Sequence, residues 1–346
     1  MSDNGHSAPA AQTPLAGMAG RAAAAKQTIL GFSHYFILVI LVAIASSLAP
    51  GFLTLQNLLN LLRSFSFLGF ISVGMTFVIL SGGVVDLSVA SILAFSGTMM
   101  ALLQHWGIYI GFTDELSLIY PTPYIFLTVL ALGALLGFIN GVIIAKLKVT
   151  GFVTTLGMMV FARGLAFSIS GGGTIFGVDE MTHFVGRGMV GPVPFVAILW
   201  IAIVIVGALV LNNTPFGRRL YATGENPKAA FLSGINPDRY KIAAYTISGL
   251  LAAVAGIALT GRLGVGEPRV AQGWELYAIA SVVIGGTSFA GGRGSLGRTV
   301  VGVMIIGLIR NVLSLLGVLP SPQEMIMGIV LLAAVIVQQA IRRSKA

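Results

Sequence analysis

Apolar runs of about twenty residues recur along this chain with only short polar breaks between them, and that pattern leaves few folds open. A helix needs about 20 mostly apolar residues to cross the hydrocarbon of a bilayer. Runs of this kind cover 32–49, 64–84, 87–106, 123–145, 150–170, 194–211, 242–261, 275–291, 299–317 and 323–341. The chain is 56% hydrophobic and only 9% charged over 346 residues, so it has too little polar surface to wrap these runs in a water-facing shell. The expected fold class is therefore all-α: a polytopic integral membrane protein with about ten transmembrane helices. The second and third runs nearly touch, so a broken or re-entrant arrangement around 81–88 is a second option there. The domain plan is a disordered cytoplasmic tail over 1–28, then one transmembrane domain over 29–346 with a long loop at 212–241.

The net charge of +9 could suggest nucleic acid, but its distribution argues for topology. With a cytoplasmic N-terminus, the inner segments hold Arg21, Lys26, Lys146, Lys148, Arg218, Arg219, Lys228, Arg239, Lys241, Arg293, Arg298, Arg342, Arg343 and Lys345. The outer loops hold Arg187, Arg262 and Arg269, while Asp114, Glu115, Asp179, Glu180, Glu267 and Glu275 lie outside or at the outer edge. Excess Lys and Arg on the inner side is the positive-inside pattern, and it places both termini in the cytoplasm. Membrane lipid is then the partner of the basic residues, and nucleic acid is not. Arg21 and Lys26 precede a run too long for a signal-peptide core, so the first helix is expected to remain uncleaved.

Several chemistries drop out. With no cysteine there is no disulfide, thiolate or Cys-based zinc site, and the four histidines do not suggest a metal centre. Gly292-Arg293-Gly294-Ser295-Leu296-Gly297 matches the spacing of a dinucleotide fingerprint and nearly that of a phosphate loop. Both motifs require a strand before and a helix after, with backbone N–H groups converging on phosphate. Here the segment joins two apolar runs, so it reads as a tight cytoplasmic turn, and the chain is expected to bind no nucleotide. Gly133, Gly137 and Gly141 share one face of the fourth run, a spacing that favours close helix packing.

The longest inner connection carries the most specific signals. Asn226 or Glu225 can cap a helix that opens at Pro227, and Gly234 followed by Asn236-Pro237 stops it. This short helix, about two turns, would show Phe231, Leu232 and Ile235 on one side. It is too short to be stable alone. It either lies on the bilayer surface or docks into a groove on a cytoplasmic partner.

Three stretches carry a resemblance to a known family. They are the loop around Glu225-Asn226-Pro227-Lys228-Ala229-Ala230 to Gly234, the stretch Gly74-Met75-Thr76 to Ser81-Gly82-Gly83-Val84-Val85-Asp86-Leu87-Ser88, and Gly285-Gly286-Thr287-Ser288 to Arg298 followed by Asn311 to Gly317. In order and content they resemble the permease subunits of bacterial ATP-binding-cassette sugar importers of the ribose/xylose/galactose/autoinducer-2 type, over about Asn57 to Gly317. The loop resembles that family's coupling helix, with Lys228 where importers of another type carry Glu. The resemblance implies that Glu225, Asn226, Lys228, Ala229, Ala230 and Gly234 couple the chain to ATPase subunits. It further implies a second permease copy, ATP and Mg on separate cytoplasmic subunits, no cofactor on this chain, an extracytoplasmic sugar-binding protein, and the bacterial inner membrane.

Polar residues inside the runs are the candidates for a translocation path, because charge at mid-bilayer usually faces a cavity or a partner. They are Asp86, Ser88, Asn140, Thr155, Arg163 and Asn311, with Thr154 beside Thr155. Asp86 can equally cap the third helix, and Arg163 can pair with an acid. Two other functional classes compete. An ion-gradient-driven transporter or channel would need buried carboxylates as relays, and Asp86 is the one clear candidate. A membrane enzyme would need an acid or histidine cluster at one face, for which His105, Asp114 and Glu115 alone offer material.

Overall fold

The computed structural model describes residues 35–106 and 121–343; Asp114, Glu115 and the expected 1–28 tail lie outside them. In chain order the elements are α1 (Tyr35–Leu48), α2 (Leu55–Leu80), α3 (Val89–Trp106), α4 (Thr122–Lys146), α5 (Gly151–Ile169), β1 (Ile175–Phe176), α6 (Glu180–Arg187), β2 (Met189–Val190), β3 (Val193–Pro194), α7 (Phe195–Asn213), α8 (Pro215–Glu225), α9 (Pro227–Leu232), α10 (Pro237–Leu263), β4 (Val265–Gly266), α11 (Trp274–Ile284), α12 (Leu296–Leu315) and α13 (Pro320–Arg343). The strands form two antiparallel ladders of two residues each, β1 with β4 and β2 with β3. The rest of the described fold is helical, as expected. Among the described residues α2, α4, α5, α7, α10 and α12 are long and apolar enough to cross a membrane, while α1, α3 and α11 are shorter apolar helices.

Three helices form the interior, with the short α3 buried along most of its length. α2 and α10 are the most buried of the six, and α10 packs against α4, α2, α3 and α6. Small residues permit this. A Cβ on Gly137 would overlap the Tyr245 carbonyl, one on Gly249 would overlap the Gly133 carbonyl, and one on Gly97 or Gly256 would strike the facing helix. The glycine face of α4 is thus a seam against α10, where lipid-soluble helices gain contact by bringing backbones close. At 27 residues, α10 is about 40 Å long. It separates α8 and α9, next to its start, from α6 and the strands, next to its end.

The chain breaks twice inside this bundle. α2 stops at Leu80 and α3 starts at Val89, so the closely spaced second and third runs are separated by a non-helical stretch. Gly82 sits at φ +77 while its N–H donates to Ile79 O and that of Gly83 to Val78 O. That is a Schellman stop, which needs a residue tolerant of the left-handed region. α11 ends the same way, with Gly286 at φ +83 and the N–H groups of Gly286 and Thr287 on Val283 O and Val282 O. The apolar run over 275–291 was expected to be one span. Its helix ends at Ile284 instead, because hydropathy does not register a glycine pair that can leave the helix.

The α4–α10 seam makes a direct prediction. Gly137→Ala should destabilise the protein by about 1–3 kcal/mol through overpacking, read as a lower thermal-unfolding midpoint in detergent. Gly297→Ala, where a Cβ meets open space, should leave the midpoint unchanged or raise it. Equal midpoints for wild type and Gly137→Ala would contradict the packing described.

Candidate functional site

The loop between α7 and α10 is built from two capped helices. The Thr214 hydroxyl accepts from the Gly217 N–H at 3.3 Å and Pro215 opens α8. Asn226 Oδ1 accepts from the N–H groups of Lys228 (3.1 Å) and Ala229 (3.0 Å), and Pro227 opens α9. Glu225 is the last residue of α8. Gly234 ends the motif at φ +79, with Ile235 N–H donating to Ala230 O. The cap at Asn226, the proline start and the glycine stop match the sequence expectation. α8 does not appear in that expectation, although Thr214-Pro215 carries the same signal. Ala230 is buried against the fold, whereas Phe231 and Leu232 are 67% and 86% exposed. Ile235 is half-buried.

This loop is joined to both helix breaks through backbone. The end of α8, the end of α2 and the turn before α12 meet at Gly224, Gly82, Gly291 and Gly292, and a Cβ on any of the four would press on another segment's backbone. The Gly292 N–H donates to Leu80 O at 3.1 Å, and the Tyr221 hydroxyl donates to Gly294 O at 3.1 Å. Arg293 and Glu225 form an exposed ion pair at 2.7 Å, which by itself contributes little. The phosphate-loop lookalike is therefore a splice between helices, and its Gly292 amide is taken up by the end of α2.

Above that junction lies a buried polar node. Asp86 Oδ1 accepts from the Ser88 N–H (3.0 Å) and the Ser88 hydroxyl (2.5 Å), and Oδ2 accepts from the Ser248 hydroxyl at 2.8 Å. Asn140 Nδ2 donates to the Ser88 hydroxyl at 2.9 Å, and the Tyr245 hydroxyl donates to Val85 O at 3.3 Å. Asp86, Ser88, Asn140, Ser248 and Tyr245 are all fully buried. The node pins the α2–α3 break to α4 and α10, and Asp86 acts as a local cap for the chain entering α3. The sequence reading includes Asp86, Ser88 and Asn140 but not Ser248 or Tyr245, which no local pattern marks.

The other sequence candidates lie elsewhere. The Thr155 hydroxyl donates within α5 to Gly151 O at 2.9 Å, and Thr154 likewise to Thr150 O at 3.1 Å. Asn311 exchanges two hydrogen bonds with Asn57, at 2.8 and 3.1 Å, clamping α12 to α2. Arg163 donates to Pro268 O at 2.7 Å and Val270 O at 2.9 Å, fixing the segment after β4 against α5.

At the far end of α10, Asp179 caps α6 and gathers Thr122, Gln104 at 2.8 Å and the Thr182 N–H at 2.8 Å. Partial burial works to raise its pKa, but the donors from Thr122, Thr182 and Gln104 outweigh it and hold the carboxyl below the usual carboxylate range. A carboxyl depressed in the folded state stabilises above its unfolded value, and that contribution is lost as pH falls through the folded value. The thermal midpoint should therefore fall as pH drops below about 4, and less steeply in Asp179→Asn. Identical pH profiles for the two would contradict this role. At the buried node, Ser248→Ala should cost about 1–3 kcal/mol by leaving Asp86 Oδ2 without a donor. An unchanged unfolding midpoint would show that the node does not hold the break.

Among the described residues, six helices long and apolar enough to cross a membrane surround internal breaks with a helical loop at one end, and known proteins resemble the chain as follows. The family model described as "Branched-chain amino acid transport system / permease component" matches residues 57–335. The ribose import permease protein of Bacillus subtilis (strain 168) is 44% identical over 310 residues, covering 89% of this chain and 91% of that protein. The ribose import permease protein of Escherichia coli (strain K12) is 39% identical over 92% of this chain and 97% of its own length. The L-arabinose transport system permease protein of E. coli (strain K12) is 36% identical over 86% of each chain. No solved structure matches. The chain thus belongs to the family of branched-chain amino acid transport system permease components, among its sugar-importer permeases.

Proposed function

We propose that this chain is the membrane-spanning subunit of an ATP-binding-cassette importer that carries a monosaccharide or related polyol inward. ATP and Mg would act on separate cytoplasmic subunits, and an extracytoplasmic sugar-binding protein would deliver the cargo. In this reading two copies of the chain pair in the bacterial inner membrane, each crossing about ten times with both termini in the cytoplasm. Relatives named for ribose, L-arabinose and D-allose favour an aldose.

One observation carries the proposal: the α8–α9 loop exposes Phe231 and Leu232 while its root at Gly224 is in backbone contact with both helix breaks. A helix of six residues is unstable unless something holds it, and two exposed apolar side chains beside Lys228 offer a knob for a partner's groove. Glu225, Asn226, Lys228, Ala229, Ala230 and Gly234 then form the unit that a moving ATPase pushes. Backbone-to-backbone contact at Gly82, Gly224, Gly291 and Gly292 has no flexible side chain to absorb that push, so it would reach the breaks. Asp86, Ser88 and Asn140 brace the first break, Asn311 clamps α12 to the α2 that leads into it, and the Thr155 hydroxyl is satisfied within α5. An ion-coupled mechanism is less well supported, because both Asp86 oxygens are already held by Ser88 and Ser248.

Gly234 stands at φ +79, which proline with its φ near −65° does not reach. Gly234→Pro, or deletion of 226–234, should abolish sugar uptake and weaken association with the ATPase subunits while the chain stays in the membrane. Normal uptake in these variants would remove the loop from the mechanism. Sugar movement through the chain alone in liposomes, without ATPase, would overturn the importer reading.

A further inference from the structure

The segment between β4 and α11 turns back into the bundle. Arg163 holds its carbonyls at Pro268 and Val270, Ala271 is buried at φ +58, and Gly273 follows at φ +80. A buried non-glycine residue in the left-handed region is strained, and such strain persists where the surroundings enforce it. It carries Gln272 and the first turn of α11 toward α5. Between them lies a cavity of about 450 Å³ whose walls include Ser91, Met159, Arg163, Phe167, Gln272 and Glu275. That volume falls in the range of small-molecule sites, about 300–1,000 Å³.

The wall chemistry is unusual for a membrane bundle. Arg163 and Glu275 line the same cavity, yet among the described residues they form no ion pair within 4.0 Å. Three hydrogen bonds from Arg163 go to the carbonyls of Pro268, Val270 and Ala90. A guanidinium has five N–H groups, so two remain without an acceptor in the described chain. Opposite charges with spare hydrogen-bonding capacity, next to an amide and a serine, are not presented to hydrocarbon; they face an aqueous path or a partner. Phe167 adds an aromatic surface, with the Arg269 guanidinium 5.3 Å from its ring centroid.

We propose that this cavity is a transit site for the sugar, a reading that rests on the importer function above. Donors on Arg163 and Gln272 and acceptors on Glu275 and Gln272 suit a neutral ring with several hydroxyls, each of which donates and accepts. The C–H face of the ring lies against Phe167. The cargo is neutral and offers no charge for Arg163 or Glu275 to pair with, so the sugar is held by shared hydrogen bonds and released readily. In a paired assembly each copy contributes one such site to the path.

The absence of cysteine supplies the test. In proteoliposomes the full complex, with ATPase subunits and binding protein, is assayed for uptake of D-ribose, L-arabinose, D-allose and L-leucine. A single Met159→Cys or Val160→Cys in the wall reports occupancy by its rate of maleimide labelling. The transported sugar should slow labelling at least threefold and L-leucine should not. Glu275→Gln and Gln272→Ala should lower uptake tenfold or more with ATPase association intact. Sugar uptake by wild type with no protection of either cysteine overturns the transit site and leaves the importer reading standing, even if Glu275→Gln is inactive, because that residue would then be structural. Normal uptake in both Glu275→Gln and Gln272→Ala overturns it as well. Uptake of, or protection by, L-leucine in place of the sugars overturns both the site and the sugar reading, since a zwitterion would then bridge Arg163 and Glu275. Uptake of none of the four overturns the importer reading and the site with it.

Discussion

A helix that stops inside a membrane bundle frees backbone groups that lipid cannot satisfy, and the rest of this structure is arranged around that constraint. α2 stops at Leu80 and α11 at Ile284. Each stop closes on itself through a glycine in the left-handed region, which satisfies part of the terminal backbone. Neighbouring chain supplies the remainder: Gly292 N–H reaches Leu80 O, Tyr245 reaches Val85 O, and Ser88 and Ser248 close around Asp86. Irregular backbone at membrane depth is tolerated where protein or a water-filled cavity surrounds it. The first break is surrounded by α10 and the end of α8, and the second by the ends of α2 and α8.

The same constraint links structure to mechanism. Because the backbone partners of one break lie on the next element, the two breaks and the loop form a single connected unit at one end of α10. At the other end, Asp179 ties α3, α4 and α6, and Arg163 ties α5 to the segment after β4. In the proposed mechanism a force applied at Phe231 and Leu232 has a backbone route into the bundle, and the proposed cargo cavity shares Arg163 with the second anchored region.

Much of this was legible locally. The apolar runs, the caps of α9, the glycine ridge of α4 and the break near 81–88 each follow from rules that act over a few residues. α8 is equally legible from Thr214-Pro215, a cap-and-proline start of the same kind as Asn226-Pro227. The end of α11 is hidden from a hydropathy window because Gly285-Gly286 counts as apolar there while acting as a stop in the backbone. Ser248, Tyr245, Asn57 and Glu275 could not be found in this way. Each resembles many other residues in sequence and gains its role only from a partner on a distant segment, as Ser248 does from Asp86, 162 positions away.

By itself the sequence determined the solvent of this protein, its helical class and the family it resembles. The first two follow from transfer free energies and short-range capping, which sum over neighbours in the chain, and the third from the order of three motifs along it. Only the tertiary structure decided that Asp86 and Asn140 brace a break, that Asn311 clamps α12 to α2, and that Arg163 and Glu275 face one another across a cavity. Burial and hydrogen bonding assign a polar residue its work through whatever it meets in space, and in a bundle packed on glycine those meetings depend on how closely distant helices approach.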